Sequence, residues 1–165
     1  MIQTFSSYLV ASAGASAAFI GLLFVAMAIE SGEKRDEAMA ARRKALSTSS
    51  YNHFVNIFFV SVVGLLGEVR LLGGVSVCMA LLCLWNISQV LPGVIRTGNW
   101  APRGSWRHSA VILPVTSTIM FTLQALLGVL LIIHPGSLQT LRFALALTVG
   151  IYAGALARAW YIPKN

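Results

Sequence analysis

The chain consists of long apolar runs separated by short polar segments. Four runs carry no Asp, Glu, Lys or Arg, and they cover residues 1–29, 45–67, 71–95 and 108–141. A hydrocarbon core about 30 Å thick requires about 20 residues of α-helix, so each of the first three runs is long enough for one crossing. The runs are continuously apolar rather than alternating, which favours helices over the strands of a membrane barrel.

Two short breaks decide the number of helices. Pro135 and Gly136 divide the fourth run, because proline and glycine end helices and turn the chain. Residues 67–70 contain Glu68 and Arg70 and are predicted to form a tight turn near water, the alternative being one long tilted helix that carries this pair into the membrane. We therefore expect an all-α fold with five transmembrane helices in a single domain, residues 1–165. The predicted helices are residues 6–29, 49–67, 71–95, 109–133 and 138–162.

The composition supports a membrane protein. Of the 165 residues, 57% are hydrophobic and 10% are charged, whereas about a quarter of the residues of a soluble domain are charged. A soluble monomer and a disordered chain are thereby excluded. Two cysteines, Cys78 and Cys83, are too few for a disulfide scaffold. The lipid bilayer is the first expected partner.

The basic residues predict the orientation. Ten of the twelve fall on one side of a five-helix arrangement, and only Arg70 and Arg142 fall on the other. Basic loops stay in the cytoplasm, so we expect the N-terminus outside and the C-terminus inside. Residues 30–48 are expected to be a solvated connector, with a short cytoplasmic helix as the alternative. Short basic loops also explain the net charge of +7 without nucleic-acid binding. The ten residues are Lys34, Arg35, Arg42, Arg43, Lys44, Arg96, Arg103, Arg107, Arg158 and Lys164.

The first helix has two unlike faces. Around Gly14 and Gly21 one side carries small residues, which allow two helix backbones to approach closely. The other side is bulkier and lightly polar and leads to Glu30. Two interpretations stay open: the small side packs within the chain, or it lies at a symmetric subunit interface or pore. The candidate pore or helix-interface residues are Ser12, Ser16, Ala17, Gly21, Val25, Glu30 and Gln124.

Other polar residues suggest links between helices. Gln124 lies near the centre of the fourth helix and needs a hydrogen-bond partner on another helix, either as a structural link or as part of a polar cavity. Asn56 and Asn86 lie at a similar depth and are candidates to pair. Arg158, at the end of a stripe that contains Gly150 and Gly154, is expected to snorkel to the membrane interface.

The loop before the fourth helix combines tryptophan with arginine. Tryptophan prefers the headgroup level, and arginine there attracts anionic lipid. Trp100, Arg103, Trp106 and Arg107 are therefore predicted to be a lipid anchor, with ligand or partner binding as the alternative.

No enzyme motif is present. His53, His108 and His134 lie on different elements, and the HExxH, CxxC and GxSxG patterns are missing from the sequence. We expect no enzymatic activity, no cofactor and no bound metal.

Residues 14–29 resemble the opening helix of small bacterial multi-span inner-membrane proteins, which implies the inner (plasma) membrane. The same stretch resembles the pore-lining first helix of Orai calcium channels, a likeness that implies a homo-oligomer built around helix one. In that register the family's glutamate position falls on Ile29, and Glu30 follows one residue later. The family has four spans and an extracellular glutamate, so calcium selectivity is not carried over. The residues that match are Ser16, Ala17, Gly21, Val25, Ala26 and Met27, and the implied pore face is Ala18, Leu22, Val25 and Ile29.

These observations predict a homo-oligomeric channel or pore that conducts small ions. A chain of this length is short for an alternating-access transporter, which usually contains two repeats. The alternative is a non-conducting accessory or scaffold protein that binds another membrane protein through its small-residue faces.

Overall fold

The computed structural model of the protein is a bundle of five α-helices. It describes the backbone of residues 2–30, 37–96 and 106–160, and the side chains of residues 2–28, 47–89 and 114–159. No strand occurs in these segments, so the all-α prediction is confirmed for them. A 3-10 helix at Ile2–Phe5 precedes the bundle. The helices are α1 (Ser6–Glu30), α2 (Glu37–Leu65), α3 (Val69–Arg96), α4 (Trp106–Ile133) and α5 (Leu138–Trp160).

Both predicted breaks are present. Gly67 has φ of 81°, a left-handed conformation that glycine adopts without steric cost, and it separates α2 from α3. The turn is therefore confirmed and the single long helix is wrong. At the other break, the Thr140 N–H donates to Ser137 Oγ at 3.2 Å, which caps the start of α5.

In the part of the chain that the structure describes, four helices are long and apolar enough to cross a membrane, which fits a multi-pass membrane protein. They are the stretches Ile2–Ala28, Val69–Gln89, Pro114–Ile133 and Leu138–Ala159, with mean hydropathy between 1.5 and 2.1. α2 is not among these four. It also begins at Glu37 rather than at residue 49 as predicted, so the expected connector is largely helical. Its alanine-rich start explains the difference, because alanine and the neighbouring basic residues favour helix.

α2 lies at the centre of the described bundle. It packs against α1, α3 and α5, while α4 packs against α3 and α5. Ser12 of α1 contacts Ser61, and Phe19, further along α1, stacks on Phe54, so α1 and α2 run antiparallel. Five polar residues of α2 are buried in this packing, and they lower the mean hydropathy of the helix. They are Ser47, Ser50, His53, Asn56 and Ser61.

The interior is packed along its length. Near the α2–α3 turn the core includes Leu9, Leu72 and Leu141, and near the other end Phe19 stacks on Phe54 at 5.1 Å between ring centroids. The exterior is apolar as well, since large side chains such as Trp85 are mostly exposed. An apolar exterior around a packed core is the surface that lipid requires.

α3 and α4 approach each other most closely at two glycines. A Cβ placed on Gly73 lies 2.6 Å from the carbonyl oxygen of Gly128, and one placed on Gly128 lies 2.8 Å from the carbonyl oxygen of Gly73. No larger residue fits at either position without separating the helices. Small residues therefore set the distance between these two helices.

Candidate functional site

The small residues of α1 point out of the bundle. Gly14, Ala17, Ala18 and Gly21, here called the small-residue face, are all exposed, and a Cβ on Gly14 or Gly21 meets no atom within 4 Å. Of the small residues on this side, Ala13 is buried. Among the described residues, nothing packs on most of this face, which favours the interpretation in which it meets a partner outside the protomer.

The opposite side of α1 faces inward. Leu9 and Leu23 are buried, Ser12 accepts a hydrogen bond from Ser61 Oγ at 3.1 Å, and Ser16 is buried toward Tyr152 of α5. This side carries the larger and more polar residues, which pack against α2 and α5. Burial of the larger residues leaves the small ones outside.

The candidate residues predicted on α1 are consequently split between two sides. Ala17, Gly21 and Val25 lie outward, Val25 with 54% of its surface exposed, whereas Ser12 and Ser16 lie inside. Ala18 and Leu22, which belong to the pore face implied by the likeness to Orai channels, also lie outward. Glu30 and Ile29 belong to the last turn of α1, and their side chains are outside the described residues.

Gln124 forms a reciprocal amide pair with α2. Asn56 Nδ2 donates to Gln124 Oε1 at 2.8 Å, and Gln124 Nε2 donates to Asn56 Oδ1 at 2.9 Å and to the Ser76 carbonyl at 3.3 Å. The prediction that Gln124 bonds to another helix is confirmed. The pairing of Asn56 with Asn86 is wrong, because Asn86 is exposed on the outer side of α3.

A second polar group, which was not predicted above, joins α2, α4 and α5. His53, Ser117 and Arg158, here called the Arg158 cluster, are 2%, 1% and 3% exposed. Arg158 Nη2 donates to Ser117 Oγ, and Ser117 Oγ lies 3.4 Å from His53 Nε2. His53 Nδ1 lies 2.6 Å from the carbonyl oxygen of Ser49.

The hydrogen bonds assign the protons of this cluster. A carbonyl oxygen only accepts, so His53 Nδ1 carries a proton and the Nε2 of the neutral ring is an acceptor. Ser117 Oγ accepts from Arg158 and lies 3.4 Å from this acceptor nitrogen. The cluster thus connects the guanidinium, the hydroxyl and the imidazole to the backbone of α2.

Gly154 explains why Arg158 turns inward. Side chains on a helix lean toward its N-terminus, so Arg158 extends back over the preceding turn. Gly154 has no side chain there, and Arg158 Nη1 lies 3.1 Å from the position that a Cβ would occupy. The predicted snorkelling of Arg158 to the membrane interface is therefore wrong. Arg142, near the other end of α5, is exposed.

Two sequence signals pointed to this interior. A glycine four residues before an arginine leaves room for the arginine to fold back along the helix. Every third residue of one part of α2 is polar and buried, which marks an inward polar face. These residues are Ser47, Ser50, His53 and Asn56.

Comparisons with known proteins add no relative. The chain matches no protein-family model, no curated protein and no solved structure. The likeness of α1 to bacterial membrane proteins and to Orai channels stays a prediction. So does the lipid anchor, because Trp100 and Arg103, and the side chains of Trp106 and Arg107 at the start of α4, lie outside the described residues.

Proposed function

We propose that the protein is a homo-oligomeric channel of the inner (plasma) membrane whose subunits meet through the small-residue face of α1 and conduct small ions along their shared axis. The observation that carries this proposal is the outward direction of Gly14, Ala17, Ala18 and Gly21. These residues offer a helix backbone to a partner outside the protomer.

The choice of residues on this face supports contact with protein rather than with lipid. Lipid tails are as apolar as leucine, so a lipid-facing position does not require a small side chain. Helices associate in membranes by close backbone approach and van der Waals packing, which small residues permit. The contact between Gly73 and Gly128 is an example, inside this protein, of two helix backbones that approach closely at small residues.

Close packing of the described residues favours a path between subunits. The cavity beside Gln124 has a volume of about 10 Å³, which is room for about one water molecule. A shared axis next to α1 is lined instead by Ala18, Leu22 and Val25, which form an apolar constriction of the kind that gates by dewetting. Glu30 belongs to the last turn of the same helix but to its other side, so each subunit brings a negative charge near the end of this path and outside its lining.

The proposal includes five crossings, with the N-terminus outside and the C-terminus in the cytoplasm. α2 runs antiparallel to α1, and its polar residues are shielded by neighbouring helices, which makes a crossing compatible with its lower hydropathy. The ten-to-two distribution of basic residues supports the direction. Cysteines introduced at Gln3 and Lys164 should react with impermeant reagents from opposite sides of the membrane. Reaction from the same side contradicts five crossings.

Flux through liposomes tests conduction. Purified protein should release potassium from loaded liposomes, and Glu30→Gln should alter that flux because it removes the charge at the end of α1. Glu68→Gln is the matched control, since Glu68 is exposed at the turn between α2 and α3. Monomeric particles together with silent liposomes contradict the channel and favour the accessory protein.

A further inference from the structure

The outer face of α3 changes character toward the end of the helix that lies away from the α2–α3 turn. Leu81 and Leu82 are exposed and apolar, as lipid requires. One turn further on, Trp85 has 66% of its surface exposed, and Asn86 and Gln89 are exposed beside it. Spacings of three and four residues place Trp85, Asn86 and Gln89, here called the amide patch, on one side of the helix.

The two amides of this patch have no hydrogen-bond partner among the residues that the structure describes. Asn86 and Gln89 differ in this respect from Gln124, whose amide is paired with Asn56 inside the bundle. An amide that faces hydrocarbon without a partner is costly, because lipid tails neither donate nor accept hydrogen bonds. Whatever surrounds the amide patch must therefore offer polar atoms.

The position of the patch along α3 indicates what surrounds it. Arg70 is exposed beside the α2–α3 turn, and its charge keeps that end of α3 at one face of the membrane. At a rise of about 1.5 Å per residue, Asn86 lies about 24 Å and Gln89 about 28 Å further along the helix axis. The hydrocarbon core is about 30 Å thick. The amide patch therefore lies near the opposite face, where acyl chains meet headgroups.

Lipid fits this patch better than a second protein helix does. Close contact between membrane helices needs small residues, as at Gly73 and Gly128. The patch instead contains an indole, and the turn before it carries Leu81 and Leu82. An indole prefers the headgroup level, where its ring lies among acyl chains and its N–H reaches polar atoms.

We propose that the amide patch binds the ester and phosphate oxygens of glycerophospholipids and thereby fixes the depth of α3 in the bilayer. These oxygens accept hydrogen bonds, and the indole N–H of Trp85 and the amide groups of Asn86 and Gln89 donate them. None of the three residues is charged, so the contact does not require anionic lipid. It belongs to the single protomer and does not depend on the proposed channel.

Quenching of tryptophan fluorescence by brominated lipids measures the depth of the patch. Trp85 is kept as the only tryptophan of the full-length protein, and Trp100, Trp106 and Trp160 are replaced by phenylalanine. The protein is reconstituted in neutral phosphatidylcholine that carries bromine either next to the headgroup or near the end of the acyl chains. Bromine next to the headgroup should quench about twofold more strongly. Stronger quenching from the chain ends, or none from either lipid, overturns the proposal.

The matched control places the only tryptophan one turn deeper on the same face, by Leu82→Trp together with Trp85→Phe. This indole lies about 4–5 Å closer to the middle of the bilayer, so quenching should shift toward the lipid brominated at the chain ends. Identical quenching profiles at the two positions contradict an interfacial position of Trp85.

Removal of the amides tests the hydrogen bonds. Asn86→Leu and Gln89→Leu together should let the patch sink, and quenching of Trp85 from the chain ends should rise about twofold. Ser88→Ala is the control, because Ser88 is also exposed but its hydroxyl donates to the Trp85 carbonyl at 2.7 Å. An unchanged profile in the double variant means that the amides do not hold the depth of α3.

A second measurement covers the case in which the single-tryptophan protein fails to fold. All four tryptophans are retained, Cys78 and Cys83 are replaced by alanine, and a spin label is attached after Leu82→Cys or Gln89→Cys. The label at position 82 should collide mainly with oxygen, which concentrates in hydrocarbon, and the label at position 89 mainly with a water-soluble nickel chelate. A preference for oxygen at both positions overturns the proposal.

Discussion

Two pairs of glycines in this protein have opposite surroundings. Gly73 and Gly128 face each other between α3 and α4, where a Cβ on either meets a backbone oxygen at less than 3 Å. Gly14 and Gly21 lie on α1, where a Cβ meets nothing within 4 Å. Both pairs occur in long apolar helices of similar composition. A small residue thus predicts that a close approach is allowed, but it does not say whether the partner helix belongs to the same chain.

The difference arises from what lies on the other side of each helix. α1 has a larger face that fits α2: Leu9 packs over Gly64, and Phe19 stacks on Phe54. Aromatic pairs of this kind contribute about 0.5–1.5 kcal/mol beyond the area they bury. Once that face is directed inward, the small-residue face points outward. α3 and α4 instead meet through their glycines.

The largest expected effect comes from enlarging a glycine of the buried pair, Gly73 and Gly128. Gly73→Leu should destabilise the protomer by about 3 kcal/mol or more, because overpacking costs about 1–3 kcal/mol and here the side chain meets backbone rather than a movable side chain. The measurement is the midpoint of thermal unfolding in detergent. Gly14→Leu is the matched variant on α1 and should leave the midpoint unchanged when the proteins are compared as monomers in detergent, without the contribution of a subunit interface. Equal effects at the two glycines contradict the distinction between them.

Substitutions of the exposed pair, Gly14 and Gly21, should affect assembly instead of protomer stability. Gly14→Leu and Gly21→Leu together should shift the protein from oligomer to monomer by about tenfold or more, because bulky side chains separate the helix backbones. Native mass spectrometry gives the distribution of subunit numbers. Gly74→Leu is the control, since Gly74 also meets no atom within 4 Å but lies on α3. An unchanged oligomer in the α1 double variant contradicts the proposed interface.

Much of the fold follows from the sequence, because the bilayer imposes a simple rule. Uncharged runs of sufficient length form helices, and Pro135 and Gly67 mark where the chain turns. Four of the five helices begin and end within three residues of their predicted bounds. α2 begins at Glu37 rather than at residue 49, because the charged residues of this segment have high helix propensity and extend the helix instead of ending it.

The candidate site was harder to predict, because it depends on how the faces of different helices are matched. Gln124 could be predicted to need a partner, since an amide in hydrocarbon requires one, but the sequence offered Asn56, Asn86 and others equally. His53 and Arg158 are 105 positions apart in the chain. Only the arrangement of α2 against α5 brings them together, and no local pattern in either helix specifies that arrangement.

The smallest expected effect concerns two amides, one inside the bundle and one outside it. Replacing the buried Gln124 by leucine should destabilise the protomer by about 1–2 kcal/mol, because Asn56 then loses its partner in the interior. The exposed Asn86→Leu should have no such cost. Unfolding midpoints of both variants separate a buried amide from an exposed one.

A double-mutant cycle isolates the pair itself. Asn56→Leu, Gln124→Leu and the double variant should give a coupling energy of about 0.6 kcal/mol, the average for hydrogen bonds between membrane helices. The value is small because the unfolded chain in the membrane also finds partners for these amides. Strictly additive effects mean that the two amides do not bond to each other. A coupling near the expected value confirms that α2 and α4 are in contact inside the protomer. This contact is buried among the helices, whereas the small-residue face of α1 is exposed.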